Sequence, residues 1–215
     1  AWLATCAAPP AAIGQEFGSA LAALGRDRVL VGAPVAPWFD PFDPSQTPPP
    51  DAWQPGAVYV FNTNGYDKPE TIRSLEGEIQ VYLPDLKYMD NRLARLYSDT
   101  PHYVEFATAA IKEMFRQKGA NIFVDDSGAI QLGLIIRHLV VPGQVANSIA
   151  VLRFIAEELS PDVHISLMSQ YHPTDHVAGH PQLGRVLTSE EYNEVIEEFD
   201  RLGFYRGWVQ ELSSP

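Results

Sequence analysis

From residue 58 onward the sequence predicts an α/β fold on a mainly parallel sheet, and three observations predict it. Strand-like and helix-like segments alternate from about Val58 to Leu212, the pattern of repeated βα units. Gly133–Val141 is nearly all apolar, as a strand covered on both faces requires. Ile79–Leu83 reads as a strand that Pro84 ends, followed by Asp85, Lys87 and Asp90 and then a helical pattern. Charges at the carboxyl end of a strand that feeds a helix stand where α/β folds build ligand sites.

The elements follow in order. Phe17–Leu24 and Arg28–Pro34 read as short strands around the turn Gly25-Arg26-Asp27, with Gly56–Phe61 as a third. The wording FGSALAALGRDRVLVGAP…GAVYVF resembles one FG-GAP repeat of integrin-like β-propellers. A single such unit cannot bury its own faces. Asp40 and Asp43 lie in the proline-rich stretch Pro34–Pro55, which reads as an extended solvated connection. Trp38, Phe39, Phe42 and Trp53 are placed to pin parts of it to a surface. The composition changes at Phe61/Asn62, so the chain divides into a β segment, 1–57, and an α/β segment, 58–215.

Pro69 suits the first turn of a short helix ending at Leu75, and Asn91–Tyr97 has helical spacing. Thr100-Pro101 reads as the cap of a longer helix with the stripe Val104, Ala107, Ile111, Met114 and Phe115, ending at Gly119. Asn121–Val124 and Ala129–Leu132 flank Asp125-Asp126-Ser127-Gly128, a hairpin signal. A helix with Val145, Ile149, Leu152, Ile155 and Leu159 precedes the strand Val163–Ser169. Thr188 and Glu191 form a capping box for a last helix that stops at Gly203.

Composition removes several classes of function. A net charge of −12 disfavours a nucleic-acid backbone as partner. No run of the sequence has the length of a membrane helix. Cys6 is the single cysteine, so neither an internal disulfide nor a cysteine metal cage is available. Leu3-Ala4-Thr5-Cys6 loosely resembles a lipoprotein processing box, against the plainer reading of an apolar terminal segment.

Several segments together resemble radical S-adenosylmethionine (SAM) proteins similar to pyruvate formate-lyase activating enzymes. LPDLKYMD resembles the fourth-strand motif, NTNGYDKPETIRSLEG the exit of the third strand and its helix, LIIRHLVVPG the fifth strand and ISLMSQYHP the sixth. The resemblance implies a partial (βα) barrel, strands three to six, preceded by the FG-GAP-like segment, and a cytoplasmic location; a secreted protein or lipoprotein is the alternative from the first residues. It implies a SAM half-site of Asn62, Thr63, Asp85, Lys87, Arg137 and His172. Asp85 and Lys87 would address the ribose and carboxylate of SAM, and Arg137 the carboxylate through its planar fork. On residue types alone, Asp85 with Lys87 is equally a solvated strand-end ion pair, and Arg137 with His138 a buried structural cluster.

In that family three cysteines of a C-x₃-C-x₂-C loop hold a [4Fe–4S] cluster. One cysteine does not replace them, so the expectation is a truncated protein whose parent chemistry, radical generation that makes a glycyl radical in a partner, does not run on this chain alone. The alternatives are a non-enzymatic interaction module and an inactive fusion. A homo-oligomer or a partner protein docked on an open sheet edge is a further expectation. His172, His176 and His180 are spaced for metal binding on a helix, but Pro173, Gly179 and Pro181 favour a polar loop.

Overall fold

The computed structural model describes residues 58–126 and 128–212, together with the short strands β1 (Ala22–Ala23) and β2 (Val29–Leu30). These two pair antiparallel, with Ala22 opposite Leu30. The rest of the FG-GAP-like reading, the proline-rich stretch and Cys6 lie outside the described residues. Val60 and Phe61, which in sequence serve either as the last strand of the repeat or as the first strand of the α/β segment, lie in a parallel sheet.

The fold is mixed α/β with a parallel sheet. In chain order it comprises β3 (Val60–Thr63), α1 (Pro69–Ser74), β4 (Val81–Pro84), α2 (Asn91–Ser98), α3 (Tyr103–Lys118), β5 (Phe123–Val124), β6 (Ile130–Leu139), α4 (Val145–Glu158), β7 (His164–Met168), α5 (Ser189–Arg201) and β8 (Gly207–Val209). The strand order is β3-β4-β6-β7-β8, every neighbouring pair is parallel, and β5 pairs antiparallel with β6. Strands are therefore added in one direction only. Right-handed crossovers then place all the helices on one face of the sheet, as in a segment of a barrel.

Burial follows this layering. Phe61, Tyr82, Leu134, Ile136, Ile165 and Leu167 turn to the helices and are fully or almost fully buried. They pack on Ile72, Ile111, Met114, Leu152 and Ile155, which are wholly buried. Each such side chain contributes roughly 1.5–3 kcal/mol by leaving water. The opposite face is more open: Val60 is 39% and Trp208 52% exposed.

Local chemistry explains most element ends. Pro69 occupies the first turn of α1, and the Asp90 carboxylate accepts from Arg92 N at the start of α2. The capping box of α5 forms as the sequence predicts. Its Glu191 carboxylate accepts from Thr188 N and Gly143 N and pairs with both Arg185 Nη atoms at 2.7 Å. Those bonds hold the carboxyl down at about 2 and tie the loop before α5 to the exit of β6.

Three expectations are corrected. The sheet does not stop at the sixth-strand equivalent: β8 adds a further parallel strand beyond β7. Its three residues are all exposed and too few to show a period in sequence. Thr100-Pro101 does not cap α3. That helix starts at Tyr103 with His102 at its cap in the left-handed region, φ 57, while the Thr100 hydroxyl donates to Ala94 O at 3.1 Å and closes α2. The hairpin arm and the apolar strand expected after it are one strand, β6. It turns at Gly133, φ 140, where a Cβ would lie 2.9 Å from Asn121 O.

Candidate functional site

Three successive parallel strands end at one place. The backbone ladder runs on past Pro84, because Asp85 N donates to Thr63 O at 2.8 Å and Leu86 N to Arg137 O at 2.9 Å. Asp85 and Arg137 are thereby bridge partners on the same face. Arg137 Nη2 lies 2.7 Å from Asp85 Oδ1 and donates to Asn62 Oδ1 at 2.7 Å. Lys87 Nζ stands 3.4 Å from Asp85 Oδ2. The side chains of Arg137 and Asp85 are 26% and 19% exposed, so the attraction between the two charges is less screened than at the open surface.

Two atoms of this cluster have hydrogen-bonding capacity left over. Arg137 Nε is buried without a hydrogen-bond partner, and Asp85 Oδ1 has the close guanidinium contact but no hydrogen bond of good angle. Buried polar atoms are normally satisfied, and a fork-shaped cation with an unused donor suits a carboxylate or phosphate.

The segment from Asp85 to Met89 is pinned from behind. The Tyr103 hydroxyl, in a ring 2% exposed, shares its proton between Asn64 O (2.9 Å) and Asp85 O (3.0 Å) and accepts from Lys87 N (3.0 Å). Burial pushes this phenol far above its ordinary range, so it remains a donor. His138 Nδ1 donates to Leu86 O at 2.7 Å, which makes Nε2 the acceptor from Ser148 Oγ at 2.9 Å. Asn147 accepts from Met89 N and donates to Lys87 O. Gly65, at φ 80, allows β3's exit to pass so close that a Cβ would be 2.3 Å from Asp85 O. Tyr103, His138 and Asn147 escape a sequence reading because they act on backbone atoms distant in the chain, which leaves no local pattern.

Of the residues that the sequence resemblance singled out, Asn62, Asp85, Lys87 and Arg137 are brought together. The Thr63 side chain is 3% exposed and turned to the helix face; its hydroxyl donates to Asp67 Oδ2 and accepts from Gly65 N at 3.1 Å. His172 is exposed in the loop after β7. His176 lies in a single 3₁₀ turn, Asp175–Val177. His180 Nδ1 accepts from Gln182 N and Leu183 N. Among the described residues no group of three or more His, Cys, Asp or Glu side chains could hold a metal ion, and no helix is long and apolar enough to cross a membrane.

Beside the cluster, between β7 and β8, a cleft of about 410 Å³ is lined by Ser166, Met168, Gln170, Trp208 and Gln210 among others.

No family model matches the chain. An uncharacterized protein of Methanocaldococcus jannaschii is 28% identical over 139 residues, a match covering 64% of this chain and 36% of that protein. The chain thus spans little more than a third of this relative's length. Among solved structures, a domain of pyruvate-formate lyase-activating enzyme from Bacteroides vulgatus aligns with a TM-score of 0.47 and 16% identity, over 69% of this chain and 79% of that domain.

Proposed function

We propose that residues 58–212 form part of a (βα) barrel of the radical SAM type, and that the strand-end cluster holds the amino-acid and ribose end of SAM. The observation that carries this reading is the convergence of Asn62, Asp85, Lys87 and Arg137 from three successive parallel strands, with Arg137 Nε unused. Arg137 would take the ligand carboxylate and Asp85 the ribose hydroxyls. When bound beside a [4Fe–4S] cluster, SAM supplies a 5′-deoxyadenosyl radical. This chain's residues fit the SAM half-site but not a cluster, because three thiolates are needed and Cys6 is its one cysteine.

Half a site retains a part of the contacts, and each buried polar group left unpaired costs about 1–3 kcal/mol. Calorimetry should therefore give SAM binding no tighter than roughly millimolar, about −4 kcal/mol. Arg137→Ala should abolish it and His176→Ala should leave it unchanged. SAM binding indifferent to Arg137→Ala would sink the assignment.

A second reading, an interaction module, is favoured by β8: Trp208 and Val209 are 52% and 42% exposed, and the strand ends the sheet order among the described residues. Such edges pair with other chains. Sedimentation should then show a concentration-dependent dimer that Trp208→Lys removes; a monomer at every concentration removes this reading.

A further inference from the structure

The four lysines of the chain, Lys68, Lys87, Lys112 and Lys118, stand in four different settings. Lys68 is exposed just before α1. Lys87 faces Asp85 at 3.4 Å, and Lys112 Nζ donates to Glu158 at 2.7 Å. Lys118, the last residue of α3, is 8% exposed. Its Nζ makes no hydrogen bond or ion pair among the described residues and lies 5.8 Å from the centre of the Tyr82 ring. A lysine this deeply buried is normally paired.

The groups around it are engaged elsewhere. Glu76 accepts from Arg116 Nη2, and Glu113 is held by Arg116 and Gln117. The Tyr82 hydroxyl donates to Gln117 Oε1 at 2.7 Å, which fixes the ring under the amine. An ammonium gains from an aromatic face but forgoes water and a counter-ion here. Burial holds the Lys118 amine below the ordinary lysine value, against the Glu76 charge, which acts the other way. Nζ is nevertheless not among the polar atoms sealed from solvent, so a small reagent can reach it.

This place is remote from the strand-end cluster. Helix α3 begins at Tyr103, whose hydroxyl touches Asp85 O, and runs 16 residues to Lys118. At 1.5 Å per residue that is about 22 Å, so the amine lies toward the opposite end of the sheet.

We propose that Lys118 is an acylation site, at which the amine takes an acyl group from a small activated donor, an acyl phosphate or an acyl thioester. The nitrogen lone pair attacks the acyl carbon and a C–N bond forms. The C–O bond to phosphate, or the C–S bond to the thiol, breaks, and its electron pair leaves with phosphate or thiolate. The amine proton goes to solvent. The product is a neutral amide, which suits a setting that disfavours charge. The inference does not rest on the SAM reading.

The experiment is incubation of the full chain at neutral pH with acetyl phosphate and, separately, with S-acetyl-N-acetylcysteamine, the acetyl on each lysine being followed by mass spectrometry. Lys118 should be acetylated at least about threefold faster than Lys68, because each unit of lowered pKa raises the neutral fraction tenfold and reduces nucleophilicity by less. Reaction with both donors assigns the site to activated acyl groups in general; reaction with one assigns it to that donor's class. Glu76→Gln removes the one charge that supports the ammonium, while Arg116 keeps its bonds to Glu113. This variant should quicken Lys118 further and leave Lys68 unchanged. In concentrated urea the lead of Lys118 should vanish. Lys118 reacting no faster than Lys68 in the folded chain, a lead that persists in urea, or a rate indifferent to Glu76→Gln each overturns the proposal.

Discussion

His138→Phe should lower stability at neutral pH by about 2–4 kcal/mol and flatten its dependence on pH between about 6.5 and 4. The ring is wholly buried and bonded at both nitrogens, to Leu86 O and Ser148 Oγ. Phenylalanine fills comparable space but leaves a buried carbonyl and a buried hydroxyl without partners. Desolvation first, set against the Leu86 bond and the nearby Asp85 charge, pulls the imidazole pKa down to about 4. The unfolded chain takes up a proton near 6.5 whereas the folded chain does not until about 4. Between these values the unfolded state binds more protons, so stability falls as pH falls, by up to about 3 kcal/mol for this one group. His164, also lowered by burial, adds to the loss in the same direction. Urea melts of the wild type and the variant at pH 7.5 and 4.5 measure both effects. Equal pH slopes in the two proteins would show that His138 is not the group responsible.

Gly65→Ala should cost about 2–4 kcal/mol and abolish ligand binding at the strand-end cluster. The residue has φ 80, and a Cβ there would sit 2.3 Å from Asp85 O and 3.2 Å from the Tyr103 hydroxyl. Both are fixed: Asp85 belongs to the backbone ladder, and the Tyr103 oxygen holds three main-chain groups. The extra methyl therefore displaces the segment that carries Asp85 and Lys87. Tyr103→Phe, with the hydroxyl gone and the ring kept, is the milder companion and should loosen the same segment. Denaturant melts measure the stability loss and titration of the folded fraction measures binding. A Gly65→Ala protein with wild-type stability would contradict the close approach of the β3 and β4 exits.

Sequence alone settled those features that arise within a few residues. Pro69 opening α1, the Thr188–Glu191 box opening α5, the hairpin around Asp125–Gly128 and the buried run in β6 are local choices of backbone dihedral, cap or period. The α/β class followed from their alternation. The wording around Asp85 and Lys87 also marked a strand end as the place for charge, since chemistry at a parallel strand's exit is written in one continuous stretch. Tertiary structure decided what depends on partners far along the chain. β8 has three exposed residues and no period of its own; only pairing with β7 makes it a strand. Asn62 and Arg137 are 75 residues apart and meet because parallel register places their strand ends side by side. Thr63, one residue from Asn62, faces the helices because successive strand residues point to opposite sides. Tyr103, His138 and Asn147 hold the site through main-chain carbonyls and amides, which every residue possesses, so nothing in the residue types they bind distinguishes the positions they serve.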